Sequence, residues 1–163
     1  KASITIKKVI QDTDGEKNTF SFAGTREAKG KSLKKAGAAK LKKVKTRSEA
    51  VIIPETIIAD NKSYKVETIA SKAFANNKYI ETVQLASYVT VIGKNAFANA
   101  KKLCAVELTD SITKIGKGAF DGIAENAVIT VKAADKESFE RVKTLIEASG
   151  IGDGVTVVMA DGV

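Results

Sequence analysis

The chain has 163 residues, no histidine, no tryptophan and a single cysteine, Cys104. That inventory excludes Ser-His-Asp and Cys-His catalysis, zinc sites of the usual cysteine and histidine kinds, and any internal disulfide, so no catalytic, cofactor-binding or metal residue is expected. Hydrophobic residues at 44% and charged residues at 28% describe a chain that folds, and the net charge of +8 is lopsided, with +9 in residues 1–50 and −1 in residues 51–163.

In chain order, the first signal is a hairpin. Ile4 and Ile6 alternate along one segment, Phe20 and Phe22 along another, and Asp14-Gly15 between them is a turn signal. Asp12, Asp14 and Glu16 also resemble the start of a calcium loop, but the twelfth place from Asp12 is Ala23 where a glutamate is needed, so the turn is favoured. In residues 26–43, Gly30 and Gly37 argue against a stable helix, and the stretch is expected to be mostly irregular. It overlaps the basic strip from Lys29 to Lys45, in which Lys34, Lys35, Lys40, Lys42, Lys43 and Lys45 are interleaved with small residues and no aromatic one. Such a strip attracts polyanions: nucleic acid, anionic wall polymers or sulfated polysaccharides such as glycosaminoglycans. Nucleic acid is the least favoured of these, because Phe20 and Phe22 lie outside the run and it has no stacking platform. The plainer reading is a solvated loop that aids solubility.

A period of 23 residues governs the middle of the chain. Ile69, Ala73 and Phe74 recur as Ile92, Ala96 and Phe97 and again as Ile115, Ala119 and Phe120. The first two copies share nine identities, and the third keeps Ile129 and Val131 in place of Val106 and Leu108. Leu103, Val106 and Leu108 follow L-x-x-L-x-L spacing, which predicts a short strand with Val106 and Leu108 inward and Ala105, Glu107 and Thr109 outward. Ile112 and Ile115 turn the chain inward again, Gly116 permits a tight bend, and Ala119-Phe120 is expected on a short helical turn. Stacked copies place equivalent strands side by side as a parallel ladder, each phenylalanine packed on the next. Glu107, Asp110 and Asp121 fall at outward, solvated positions.

Beyond the repeats, Asp135 caps a predicted helix whose stripe of Phe139, Val142, Leu145 and Ile146 is core, with Ser149-Gly150 as its stop. Val155, Val157 and Met159 predict a last strand beside the final coil. Three segments follow: a β cap with the basic strip over residues 1–45, repeat coils over 46–134, and a helix-plus-strand cap over 135–163. No apolar run approaches the about 18 residues of a membrane span. Lys1 as first residue and Met159 as the only methionine imply an origin in a longer precursor.

The pattern I-G-x-x-A-F followed by L-x-x-V-x-L at 23 residues resembles the BspA-type leucine-rich repeats of bacterial surface proteins. Val51 to Thr56, then Asp60 to Val66, is similar to the opening coil of such proteins with a hairpin inserted before the first full repeat, and residues 119–131 followed by a helix to their closing element. The family often carries cysteine three residues after Ala-Phe, where this chain has Asn77, Ala100 and Ile123, and Ala70 replaces the glycine of the first Ile-Gly step. The implied fold is an α/β leucine-rich-repeat solenoid with 23-residue coils, a parallel strand ladder, an N-terminal hairpin cap and a C-terminal helix-plus-strand cap. The implied role is non-catalytic binding or adhesion in a secreted bacterial protein at the cell surface or wall, toward a protein or glycan. The outward strand positions Thr82, Gln84, Ala105, Glu107, Thr130 and Lys132 are its expected contact residues. Two alternatives stand beside it: a polyanion-binding wall anchor using the basic strip, and an accessory targeting domain of a larger surface enzyme.

Overall fold

Short strands stacked one repeat apart dominate the chain, because each carries inward apolar side chains that only the neighbouring coil can cover. The computed structural model describes residues 2–11, 17–26, 37–59 and 61–161. The N-terminal strands are β1 (Ala2–Gln11), β2 (Lys17–Arg26) and β3 (Gly37–Lys45). The coils contribute β4 (Ala50–Ile52), β5 (Thr56–Ala59), β6 (Lys62–Ile69), β7 (Thr82–Gln84), β8 (Val91–Ile92), β9 (Ala105–Thr109), β10 (Lys114–Ile115) and β11 (Val128–Ala133). Helix α1 (Lys136–Ala148) and β12 (Thr156–Asp161) close the chain.

Two sheets result. One runs β12-β11-β9-β7-β4, all parallel, and the other β1-β2-β3-β6-β8-β10, with β5 paired to β6 as an antiparallel hairpin. Thr82 pairs with Ala105 and Ala105 with Val128, each 23 residues on, and Ile69 pairs with Ile92 and Ile92 with Ile115 at the same interval. The first step is longer: Ala50 pairs with Thr82, because the β5-β6 hairpin is inserted between them. Pro54 has no N–H to give a ladder, which fits the end of β4 at Ile52.

The Ala-Phe segments form a third ladder, which differs from the short helical turn expected there. They are paired tight turns. The N–H groups of Lys72, Phe74 and Asn76 donate to the carbonyls of Lys94, Ala96 and Ala98 in the next coil, while those of Ala73, Ala75 and Asn77 close turns onto Ala70, Lys72 and Phe74. Asn95, Phe97 and Asn99 repeat the pattern toward Lys117, Ala119 and Asp121. The reason is left-handed backbone at Lys72, Asn76, Asn95, Asn99, Gly118 and Gly122, which breaks any helix every four residues and frees alternate N–H groups to bond between coils. Inside, the Phe74 and Phe97 rings stack at 4.8 Å and the Phe97 and Phe120 rings at 5.5 Å.

Coil spacing also explains the glycine step. A Cβ on Gly93 would lie 2.4 Å from the Ser71 backbone nitrogen, and one on Gly116 2.4 Å from that of Lys94. Ala70 is the exception because it lies against β3 instead of a preceding coil, its N–H donating to the Leu41 carbonyl at 2.8 Å.

At the N-terminal end, β1 and β2 pair antiparallel from Ala2 opposite Arg26 to Gln11 opposite Lys17. The Asp14-Gly15 turn and the calcium-like residues 12–16 lie outside the described residues. The expectation of an irregular 26–43 is corrected from Gly37 onward: that part is β3, antiparallel to β2 and parallel to β6. Ala39, Leu41 and Val44 face the core and two ladders supply the hydrogen bonds, so neighbouring strands override the poor strand preference of Ala and Lys. Residues 27–36 lie outside the description.

At the other end, Asp135 accepts the Ser138 N–H at 2.7 Å and caps α1. That hydrogen bond holds its carboxyl below the ordinary carboxylate range. Phe139, Val142 and Ile146 are buried and Leu145 packs beside them. Gly150 takes a left-handed φ of 90° past the helix, and the Ser149 carbonyl receives the Gly118 N–H at 2.9 Å, the place a further coil would fill. The Arg141 guanidinium ties the helix to the last coil by donating to the carbonyls of Ile112 at 2.7 Å and Asp110 at 2.6 Å.

Candidate functional site

In β9, inward Val106 and Leu108 are buried while Ala105, Glu107 and Thr109 are half-buried, the alternation of a strand with one face in the core. The parallel register carries this alternation across the sheet, so its solvent face is a grid of rows. Ala50, Thr82, Ala105, Val128 and Thr156 make one row. Ile52, Gln84, Glu107, Thr130 and Val158 make the next. Thr109, Lys132 and Ala160 make a third.

All six sequence-predicted contact positions lie on this face. Thr82 and Gln84 are exposed, and Ala105, Glu107, Thr130 and Lys132 are half-buried. The grid brings together Thr82 with Ala105, and Gln84 with Glu107 and Thr130, whereas Lys132 sits in the row of Thr109. Glu107 and Lys132 form an ion pair at 3.1 Å, so Glu107 is less freely solvated than expected. Asp110 likewise accepts the Ala134 N–H at 2.9 Å, while Asp121 is exposed.

Sequence reasoning misses three exposed apolar residues of the same face: Ile52, 68% exposed on the β4 edge, Val128 on β11, and Val158, 37% exposed on the β12 edge. The signal for Ile52 is present, since it stands between inward Val51 and Ile53. Val158 sits between Val157, which packs on the core, and Met159, which is exposed. Among the described residues nothing pairs beyond β12 in this sheet, so its inward positions are covered from one side only.

The basic strip is elsewhere. Lys40, Lys42, Lys43 and Lys45 are exposed along β3, in the other sheet, and Lys34 and Lys35 lie outside the described residues. Ser21 faces Lys43 and Phe22 faces Leu41, so Lys42 is the extra residue of a bulge. Cys104 is exposed with its Sγ 3.4 Å from the Glu81 carbonyl. Among the described residues no group of three or more histidine, cysteine, aspartate or glutamate side chains is placed to hold a metal ion. No described helix is long and apolar enough to cross a membrane.

Known proteins share this architecture. No curated protein matches the sequence. A leucine-rich repeat protein from Bacteroides capillosus is similar in structure with a TM-score of 0.61 at 22% identity, over 93% of this chain and 98% of that one. A leucine rich cell surface protein from Faecalibacterium prausnitzii gives 0.50 at 23% identity over 96% of this chain, which spans only 44% of that protein's length. The pneumococcal vaccine antigen PcpA gives 0.50 at 14% identity, over 95% of this chain and 50% of that one. These likenesses concern the fold. The family model described as BspA type leucine rich repeat region, with six copies, matches residues 55–146, more than half of the sequence. The chain therefore belongs to the BspA-type leucine-rich repeat family.

Proposed function

We propose that this chain is a non-catalytic binding module of a bacterial surface protein, recognising a protein or glycan through the solvent face of the β4-β7-β9-β11-β12 sheet. The observation that carries this reading is the registered grid: parallel pairing aligns Thr82, Gln84, Ala105, Glu107, Thr130 and Lys132 on one continuous surface with apolar Ile52 and Val158 at its two edges. An open face that mixes polar side chains with exposed apolar ones, Val128 within it and Ile52 and Val158 at its edges, suits contact with a macromolecule better than enclosure of a small substrate. The 23-residue coils, closed by the N-terminal strands and by α1 with β12, are the rigid support of that face. The family and the likeness to a surface protein support an extracellular setting.

The test is capture of a panel of purified matrix proteins and wall polymers by the chain and by a variant substituted at the six positions. Loss of capture with an unchanged melting curve supports the site, and undiminished capture rejects it.

A second reading has one observation behind it: the β3 bulge leaves adjacent Lys42 and Lys43 both exposed, beside Lys40 and Lys45. As a polyanion-binding wall anchor, this strip gives attachment that weakens steeply with salt. Salt-independent attachment dismisses it. The remaining reading, an accessory domain of a larger surface enzyme, is decided by what the full-length protein carries.

A further inference from the structure

Away from the strand grid, an open cleft separates the segment leaving β3 from the segment that follows the first Ala-Phe turn. Its lining includes Lys45, Arg47, Asn76, Asn77, Lys78 and Tyr79. Three of these are cations and none is a carboxylate. The two walls are fixed to each other: Asn77 Nδ2 donates to the Thr46 carbonyl at 3.2 Å, while its Oδ1 accepts the N–H groups of Tyr79 at 2.8 Å and Ile80 at 3.0 Å. Tyr79, which lines the cleft, is 44% exposed. Asn76 Oδ1 accepts from Asn99 Nδ2 at 3.3 Å, and the Asn76 Nδ2 has no partner among the described residues.

The repeat extends this arrangement into a lane. Glu81 and Thr82 donate their N–H groups to the Glu49 carbonyl, and Cys104 and Ala105 donate theirs to the Glu81 carbonyl, so the segments preceding the strands are in register. Arg47, Tyr79 and Lys102 each stand three residues before the paired Ala50, Thr82 and Ala105, so they hold equivalent places in successive coils. Lys78 and Lys101 are equivalent in the same way, and both Lys101 and Lys102 are exposed. Past Lys102 the register changes, since the Ala124 N–H donates to the Leu103 carbonyl, and the basic lane ends there. Glu49 and Glu81 do not line the cleft.

We infer that this cleft binds an acidic polysaccharide, its anionic groups paired with Arg47, Lys78, Lys102 and Lys45 and one sugar ring laid on Tyr79. Charges repeated along the stacking axis match a linear polymer carrying an acidic group on successive units. A single aromatic face flanked by amide groups suits the apolar C–H side of one sugar ring together with its hydroxyls. Single-stranded nucleic acid prefers several successive stacking platforms, and these rows hold one. The site is separate from the strand grid and shares only Lys45 with the β3 strip.

The experiment is calorimetric titration of the full chain with a sulfated glucosamine-uronate octasaccharide, its desulfated counterpart, and an oligothymidylate of matched charge. The sulfated octasaccharide binds, and both Tyr79→Ala and the pair Arg47→Gln with Lys78→Gln raise its Kd by about tenfold or more. Tyr79→Phe keeps the affinity. The pair Lys40→Gln with Lys42→Gln, exposed on β3 outside the cleft, changes Kd by about twofold or less. Melting curves of all variants match the parent, since every substituted side chain is exposed. Absence of octasaccharide binding, equal weakening by the two lysine-bearing pairs, indifference to Tyr79→Ala, or tighter binding of the oligothymidylate overturns the assignment.

Discussion

The rings of Phe74 and Phe97 stack, their centroids 4.8 Å apart and their planes 16° from parallel. Near-parallel rings at this centroid distance fall in the offset-stacked range that aromatic pairs prefer, and the spacing matches the strand separation of about 4.8 Å at which the coils repeat. Phe97 is covered on both sides, by Phe74 and by Phe120. Phe97→Ala is therefore expected to lower stability by about 3 to 5 kcal/mol, as a fully buried large-to-small change. Lys42→Ala, at an exposed bulge position, is expected to stay within about 0.5 kcal/mol. Chemical denaturation of the two variants beside the parent measures the contrast, and equal midpoints contradict the stacked core.

Gly93 and Gly116 test the close approach of coils from the opposite direction. Adding a methyl group at Gly93 drives it into the backbone of Ala70 and Ser71. Gly93→Ala is expected to cost about 1 to 3 kcal/mol through overpacking, although alanine occupies the equivalent place in the first coil without penalty. A thermal unfolding midpoint for Gly93→Ala equal to that of the parent rules out so close an approach between these coils.

The Asp135 cap predicts a pH effect of definite sign. The Ser138 hydrogen bonds lower its folded pKa beneath the usual 3.8, so the ionised cap favours the folded state above that value. Its contribution is lost as pH falls from there through the lower folded pKa. Asp135→Ala is expected to lower the melting temperature at neutral pH, with the gap to the parent narrowing only in acid below the ordinary carboxylate range. A gap that widens on acidification contradicts the cap.

Arg141 joins the helix to the last coil through two backbone carbonyls. Arg141→Leu is expected to cost about 1 kcal/mol and to raise amide exchange in β11 and α1 ahead of the central coils. Uniform exchange along the chain indicates that the clamp is not local.

How much of this is legible in the sequence depends on what fixes each part. The coil register is readable because Ile69, Phe74 and Leu85 recur as Ile92, Phe97 and Leu108, residues whose side chains are all buried. Strand β3 is hidden, since Ala and Lys are weak strand formers and its ladder comes from β2 and β6, distant in sequence. The Ala-Phe turns read as helix although Asn95, Asn99, Gly118 and Gly122 are residue types that favour left-handed backbone; Lys72 gives no such hint. The outward grid follows from strand alternation alone. The cationic cleft does not, because the bond that joins its walls, Asn77 to Thr46, spans 31 residues across the inserted hairpin.

The most direct measurement of the stacked-coil account is ring-to-ring NMR contact among selectively labelled Phe74, Phe97 and Phe120. Cross-peaks from Phe97 to each of the other two rings, with none between Phe74 and Phe120, are the predicted result. Rings that share no contacts, or a direct contact between Phe74 and Phe120, contradict it.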